Sequence, residues 1–198
     1  MHLVRHGESA WNRRFGPTRI DPGLRDPGLT PAGEAQAREA AERLAGLGVV
    51  RLVASPYRRT LQTAALIAAR LGVPVAVEPL VRERCAFSCD LGSPPAELAR
   101  EWPGLALESL PAVWWGGRIE SEAALERRCR VFYERASGWR DRDGTAVVSH
   151  WGFIRALTGK AVGNAEIVGV AFEADPHPGR ARPGERTDRA RPGEQQEG

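Results

Sequence analysis

The chain of 198 residues fits a single domain and is long enough to bury one sizeable core. Its apolar fraction of 42% is ordinary for a globular protein, and no run approaches the roughly 18 consecutive apolar residues of a membrane span, so no membrane association is expected. Twenty-eight basic side chains against 25 acidic ones leave a net charge of only +3; without a Lys/Arg block or basic stripe, the pI near 9.1 does not argue for nucleic acid as a partner.

His2 to Arg5 reads as a brief strand ending at Gly7. Residues 1–6 run straight into it, which leaves no room for a signal peptide and makes a cytoplasmic location the expectation. Thr30-Pro31 has the form of an N-cap followed by proline at the first helical position. The helix it opens, rich in Ala, Glu, Arg and Leu from Glu34 to Leu47, stops at Gly46/Gly48. Val49 to Ala54 reads as a largely buried strand. Ser55-Pro56 opens the next helix, through Thr63, Ile67 and Leu71 to Gly72, and Val73 to Val77 forms a third strand. From about 79 to 118 the pattern is irregular, with several Pro and Gly and the pair Trp114-Trp115; a connection of that length points to a cap or lid. A helix around Ser121 to Ser137 precedes the strand Thr145 to Ser149. Residues 152–160 are helical again, and Ile167 to Phe172 adds an edge strand. In the remainder, Arg180-Ala181-Arg182-Pro183-Gly184-Glu185 recurs as Arg189-Ala190-Arg191-Pro192-Gly193-Glu194. Such units offer no apolar face, so a domain over 1–174 and a disordered tail over 175–198 are expected.

Strands separated by helices of this length require crossover connections. The expected fold is α/β, a three-layer sandwich with a mainly parallel central sheet and helices on both faces. Ligands of such sheets bind beyond the carboxyl ends of the strands. Arg5-His6, Ser55 to Arg59, Glu83 and His150 each follow a strand directly or after a short connection, so these distant sites can converge.

Their chemistry suits an anion. In Arg5-His6-Gly7, Gly lets the backbone approach closely and Arg supplies a planar donor fork for phosphate oxygens. A neutral imidazole oriented at one nitrogen is a competent phosphoryl acceptor at the other. Ser55-Pro56-Tyr57-Arg58-Arg59 leads from a strand into a helix start, where free N–H groups favour an anion. One of its two Arg should enter the site while the other is solvated. Ser149-His150-Trp151-Gly152 is a third strand end bearing a His. Cys85, Cys89 and Cys129 form no pair of Cys-x-x-Cys units and read as reduced, partly buried thiols, so no metal is expected.

These motifs together resemble the histidine phosphatase superfamily, also called phosphoglycerate mutase-like, over residues 1 to about 172. Leu3-Val4-Arg5-His6-Gly7-Glu8-Ser9-x-x-Asn12 is similar to its signature, and Leu29-Thr30-Pro31-x-Gly33-x-x-Gln36-Ala37 to the helix start that follows. Ser55-Pro56-Tyr57-Arg58-Arg59-Thr60-x-Gln62-Thr63-Ala64 resembles the second motif and selects Arg59 over Arg58. Pro79 to Glu83 looks like the acid-bearing segment, and Ser149-His150-x-Gly152 like the closing motif. The resemblance implies a metal- and cofactor-independent phosphatase acting on a small phosphorylated metabolite. His6 would be the nucleophile, and Arg5, Arg59, His150 (in protonated form) and Asn12 would hold phosphoryl oxygens. Glu83 would serve as acid and then base, with Asp90 and Glu120 as alternatives because Cys85 to Gly92 departs from the family pattern. A mutase is the second reading; only Glu83-Arg84 survives of the segment that mutases carry after the acid. A non-catalytic phospholigand-binding domain is the third. Trp114-Trp115 is read either as core or as an aromatic wall of the pocket, and Glu120-Ser121 as a pair at the pocket rim, with Ser121 also fitting an N-cap.

Overall fold

The computed structural model describes residues 1–172; the tail expected to be disordered lies outside the described residues. In chain order the elements are β1 (His2–Arg5), α1 (Ala10–Thr18), α2 (Pro31–Ala45), β2 (Arg51–Ala54), α3 (Arg58–Leu71) and β3 (Val75–Val77). They continue with α4 (Pro95–Glu101), α5 (Glu122–Ser137), β4 (Thr145–Ser149), α6 (Trp151–Thr158) and β5 (Ile167–Gly169). The five strands form one sheet in the order β3-β2-β4-β1-β5. β3 with β2, β2 with β4 and β4 with β1 pair in parallel, and β5 closes the edge antiparallel to β1.

Alternation along the strands separates two cores. Val4, Leu52, Ala54, Ala146 and Val148 face α2 and α3, packing with Leu44, Leu61 and Ile67. Their neighbours Leu3, Val53 and Val147 face α5 and α6, packing with Phe132, Phe153 and Ile154. A period of two on each strand therefore yields three layers with helices on both faces. β4, central in the sheet, is buried at every residue.

α1 is a helix that the pattern did not announce, because Gly16 and Pro17 lie inside its last turn and weaken the helical signal. Ser9 and Asn12 close its start with a capping box, the Ser9 hydroxyl accepting from the Asn12 N–H. α3 begins at Arg58 rather than Ser55. The carbonyls of Ser55 and Tyr57 are both engaged by the Thr60 hydroxyl at 2.7 Å, which holds 55–57 as a bend before the first turn.

The irregular stretch after β3 contains two 3-10 turns, Pro79–Val81 and Ser88–Asp90, besides α4. Trp114 and Trp115 belong to the core under it. Trp114 donates its indole N–H to the Ser93 carbonyl at 3.0 Å and packs edge-on against Tyr57 at 4.6 Å. Of the two readings of that pair, core packing is the observed one. Among the described residues no helix is long and apolar enough to cross a membrane.

Candidate active site

The carboxyl ends of β1, β2 and β4 meet at a cavity of about 530 Å³, whose floor includes Arg5, His6, Arg59, Glu83 and Asp90. Local packing explains the loop that carries His6. A Cβ on Gly7 would fall 2.2 Å from the Gly33 carbonyl oxygen, and one on Gly33 would fall 2.0 Å from that of Glu8. Only glycine at both positions lets this loop lie against the first turn of α2. The contact is then fastened from several sides. Glu8 N–H donates to Gln36 Oε1 at 2.8 Å, the Thr30 hydroxyl donates to Glu8 Oε1 at 2.6 Å, and Gly7 N–H donates to Thr63 Oγ1 at 3.2 Å. Glu8, Thr30, Gln36 and Thr63 are thus structural partners of the loop.

His6 is buried, and its Nδ1 lies 2.7 Å from the Gly7 carbonyl. A carbonyl only accepts, so in the neutral ring Nδ1 carries the proton and Nε2 keeps its lone pair. Burial first, then the charges of Arg59 and Arg5, hold the His6 pKa well below 6.5. The ring is therefore neutral at pH 7, the state a nucleophile requires.

Arg59 is almost fully buried. It donates to the Cys89 carbonyl at 2.8 Å, faces Asp90 Oδ1 at 3.3 Å and lies over the Tyr57 ring at 4.3 Å. Its predecessor Arg58 turns the other way. It was expected to be solvated; instead it forms a partly exposed ion-pair cluster with Glu97 and Glu101 on α4, because the residue before a buried helical Arg faces the neighbouring helix rather than open water. Arg5 donates to the Val162 carbonyl at 2.8 Å, and its buried Nε has no hydrogen-bond partner among the described residues.

His150 stands behind His6, fully buried, with ring centroids 5.2 Å apart. Its Nε2 is 2.8 Å from the Ser55 hydroxyl, while Nδ1 is buried without a partner among the described residues. A protonated His150 was expected. Burial first, then the neighbouring charges of Arg59 and His6, hold its pKa well below 6.5, so the ring is neutral in the free protein. When the Ser55 hydroxyl donates to Nε2, the proton of the neutral ring sits on Nδ1.

Glu83 is half-buried and held at both oxygens. Oε1 accepts the Arg84 N–H at 2.8 Å and Oε2 the Gly152 N–H at 3.1 Å. Burial first and Asp90 second raise its pKa above 4.5, outweighing those two hydrogen bonds. Asp90 is committed elsewhere: Oδ2 accepts the N–H groups of Ala86 and Phe87, and Oδ1 faces Arg59. Glu120, expected near the rim, is paired with Arg128 and Arg82 and does not line the cavity. Ser121 caps α5, accepting from the Ala124 N–H.

Asn12 lines the cavity, and its Oδ1 accepts the Ser9 N–H at 3.0 Å. Asn164 was not singled out by its sequence context; it donates to the His6 carbonyl at 3.3 Å and lines the same cavity. The aromatic wall exists as well, but Trp11, Phe15, Phe87 and Trp151 build it. All three cysteines are free and buried, and burial raises each thiol, Cys129 to about 11. Among the described residues no group of three or more His, Cys, Asp or Glu is placed to hold a metal ion.

A mixed α/β sheet with histidines and guanidinium groups gathered at its carboxyl edge defines an anion-handling protein of the three-layer class. The chain belongs to the histidine phosphatase superfamily (branch 1), whose family model matches residues 1–175. Probable phosphoglycerate mutase GpmB of Enterobacter sp. (strain 638) is 43% identical to it over 83 residues, 42% of this chain and 37% of that protein. The match therefore spans little more than a third of that relative's length. A solved mycobacterial glucosyl-3-phosphoglycerate phosphatase superposes with a TM-score of 0.57 at 26% identity, covering 84% of this chain and 87% of that one. Mycobacterial hydrolase 1 gives a TM-score of 0.58 at 25% identity over 84% and 88% of the two chains.

Proposed function

We propose that the protein is a metal-independent phosphomonoesterase that hydrolyses a phosphorylated metabolite through a phosphohistidine on His6. The observation that carries this reading is the His6 ring, neutral and oriented at Nδ1 by the Gly7 carbonyl, on the same cavity floor as Arg5, Arg59 and Glu83. Phosphoryl transfer asks mainly for positioning and for neutralisation of the equatorial oxygens. Arg5 and Arg59 provide fixed positive charge, and His150 Nδ1–H and the Asn12 amide provide neutral donors.

In the first step Nε2 attacks phosphorus, the bond to the ester oxygen breaks, and Glu83 gives its proton to that oxygen. The raised pKa of Glu83 suits this role. In the second step the Glu83 carboxylate takes a proton from water, the water oxygen attacks phosphorus, and the P–N bond breaks. Phosphate leaves with His6 neutral and Glu83 protonated again.

Rapid-quench labelling tests this directly. An acid-labile phosphoenzyme should form and decay at rates consistent with turnover in the wild type, and be absent in His6→Ala, which should lose nearly all activity while keeping its melting temperature within a few degrees. Turnover above a few per cent in His6→Ala would remove it as nucleophile. The likeness to a probable phosphoglycerate mutase makes isomerisation the second reading; it would appear as interconversion of phosphoglycerates without phosphate release.

A further inference from the structure

Besides its charged groups, the cavity is lined by Trp11, Phe15, Phe87 and Trp151, an aromatic wall that a phosphoryl group alone does not need. A volume of about 530 Å³ lies in the range that encloses a drug-sized organic ligand. Trp11 and Phe15 are stacked with centroids 4.2 Å apart, and Phe87 leans on both at 5.2 and 5.4 Å. Asp21 ties the two sides of this wall together. Its Oδ1 accepts the Trp11 indole N–H at 2.9 Å and its Oδ2 the Ser88 N–H at 2.8 Å, so α1 and the segment bearing Phe87 are held in register. Burial would raise Asp21, but the bonds from Ser88, Trp11 and Gly23 prevail and lower it to about 2, so this clip is charged at any physiological pH. Phe87 is nevertheless 44% exposed and Trp151 38% exposed, and both line the cavity. Exposed aromatic side chains grouped at the mouth of a pocket mark a surface that a ligand covers.

The polar inventory points the same way. Among the described residues the carboxyl groups on the cavity are Glu83 and Asp90, both engaged in hydrogen bonds or an ion pair, while the other charged side chains there are Arg5, Arg19, Arg59 and Arg84. A cationic amine on the organic part of a substrate would meet no free carboxylate among these described residues and would lose hydration beside the aromatic rings. We infer that the wall is a specificity subsite for an aromatic or heteroaromatic group in the alcohol part of the phosphomonoester. This rests on the proposed phosphatase reading and names its substrate class.

The test separates binding from turnover. Two phosphonates that cannot be hydrolysed, 2-phenylethylphosphonate and ethylphosphonate, are titrated calorimetrically into the full-length protein. The aryl compound should bind about tenfold tighter or more, as expected for a ring added to an aromatic cluster. The corresponding esters, 2-phenylethyl phosphate and ethyl phosphate, release similar alkoxides, so their ratio of kcat/KM reports the subsite rather than leaving-group chemistry. That ratio should favour the aryl ester by a similar factor, fall about fivefold or more in Phe87→Ala and persist in Phe87→Tyr. Equal affinity for the two phosphonates, or an unchanged ratio in Phe87→Ala, would overturn the aromatic subsite even if every ester is hydrolysed. Preference for the aryl phosphonate with no ester hydrolysed would instead overturn the phosphatase reading and leave the subsite standing. Binding of neither would remove both.

Discussion

Gly152→Ala offers a test of Glu83 that leaves Glu83 itself in place. A Cβ at residue 152 would sit 2.4 Å from Glu83 Oε1, a distance real Cβ atoms essentially never show. Gly152 is in the first turn of α6 and no positive φ is recorded there, so alanine is acceptable to the backbone. Exchange of Gly for Ala in a helix gains up to about 1 kcal/mol, less so near a terminus. What must move is the carboxyl group, by about 1 Å to reach ordinary contact, and with it goes the hydrogen bond from the Gly152 N–H, worth about 0.5–1.5 kcal/mol to a neutral acceptor. Misplacement of a reacting group on that scale costs about 10²-fold in rate. The variant should therefore melt within a few degrees of the wild type while kcat on an alkyl phosphate falls about 100-fold. An aryl phosphate, whose phenolate leaves readily, should lose far less in the phosphorylation step, and Glu83→Gln should show the same split. Rapid-quench measurement of the first step with both ester types reads this out. Equal losses for the two leaving groups, or full alkyl activity in Gly152→Ala, would show that this carboxyl is not the acid and would turn attention to Asp90.

Arg59→Ala should lower kcat/KM by about 10²–10³-fold, and it should also destabilise the fold, because it strands the buried Asp90. Arg58→Ala removes only partly exposed pairs to Glu97 and Glu101 and should cost no more than about 1 kcal/mol with little effect on turnover; the reverse ranking would contradict the assignment of the two side chains. Acid should destabilise the protein through its buried imidazoles. His6 and His150 have pKa values well below 6.5 in the fold and ordinary ones when unfolded, so below pH 6.5 the unfolded chain binds protons that the folded one does not. Each then contributes a slope of up to about 1.4 kcal/mol per pH unit, with stability full above 6.5 and lost as pH falls toward the folded values. Glu83, raised in the fold, has the opposite sign and partly offsets this near its own titration. A melting temperature that does not fall between pH 7 and pH 5.5 would refute the buried neutral histidines.

Much of this architecture was legible from periodicity and punctuation. The N-cap Thr30 with Pro31, the stop at Gly72 with a φ of 67°, and the apolar centre Ala146-Val147-Val148 of β4 each announce an element through local chemistry. The motifs at the ends of β1, β2 and β4 were legible for the same reason, since the strand places them and the sheet brings the strands together. What stayed hidden depends on contacts between distant segments. Nothing near Trp114 in sequence says that its indole will find the Ser93 carbonyl, and nothing near Trp11 says that Phe87 will stand beside it. The pattern leaves Trp114-Trp115 open between core and pocket wall, and the structure places both in the core, because side-chain type signals size and not destination.

Glu83 is the furthest case of this kind. It follows β3 by six residues through a 3-10 turn, so the strand alone does not position it. Three other segments do. Arg128, facing inward from α5, donates to the carbonyls of Leu80 and Arg82 at 2.8 Å each and reaches that of Glu83 at 3.4 Å, and Glu120 holds the same guanidinium from the other side. The Ser149 hydroxyl, at the end of β4, donates to the Val81 carbonyl at 2.7 Å. The Gly152 N–H then orients the carboxyl itself. Carbonyls that would otherwise be buried and unpaired are thus satisfied by groups from α5, β4 and α6, and a segment with no regular structure of its own gains a defined path. Glu120, which sequence alone offered as an alternative acid, contributes instead by fixing the arginine that fixes Glu83. The same bonds link the helix layer formed by α5 and α6 to the cavity floor, which makes the position of the acid a property of the folded domain and not of its local sequence.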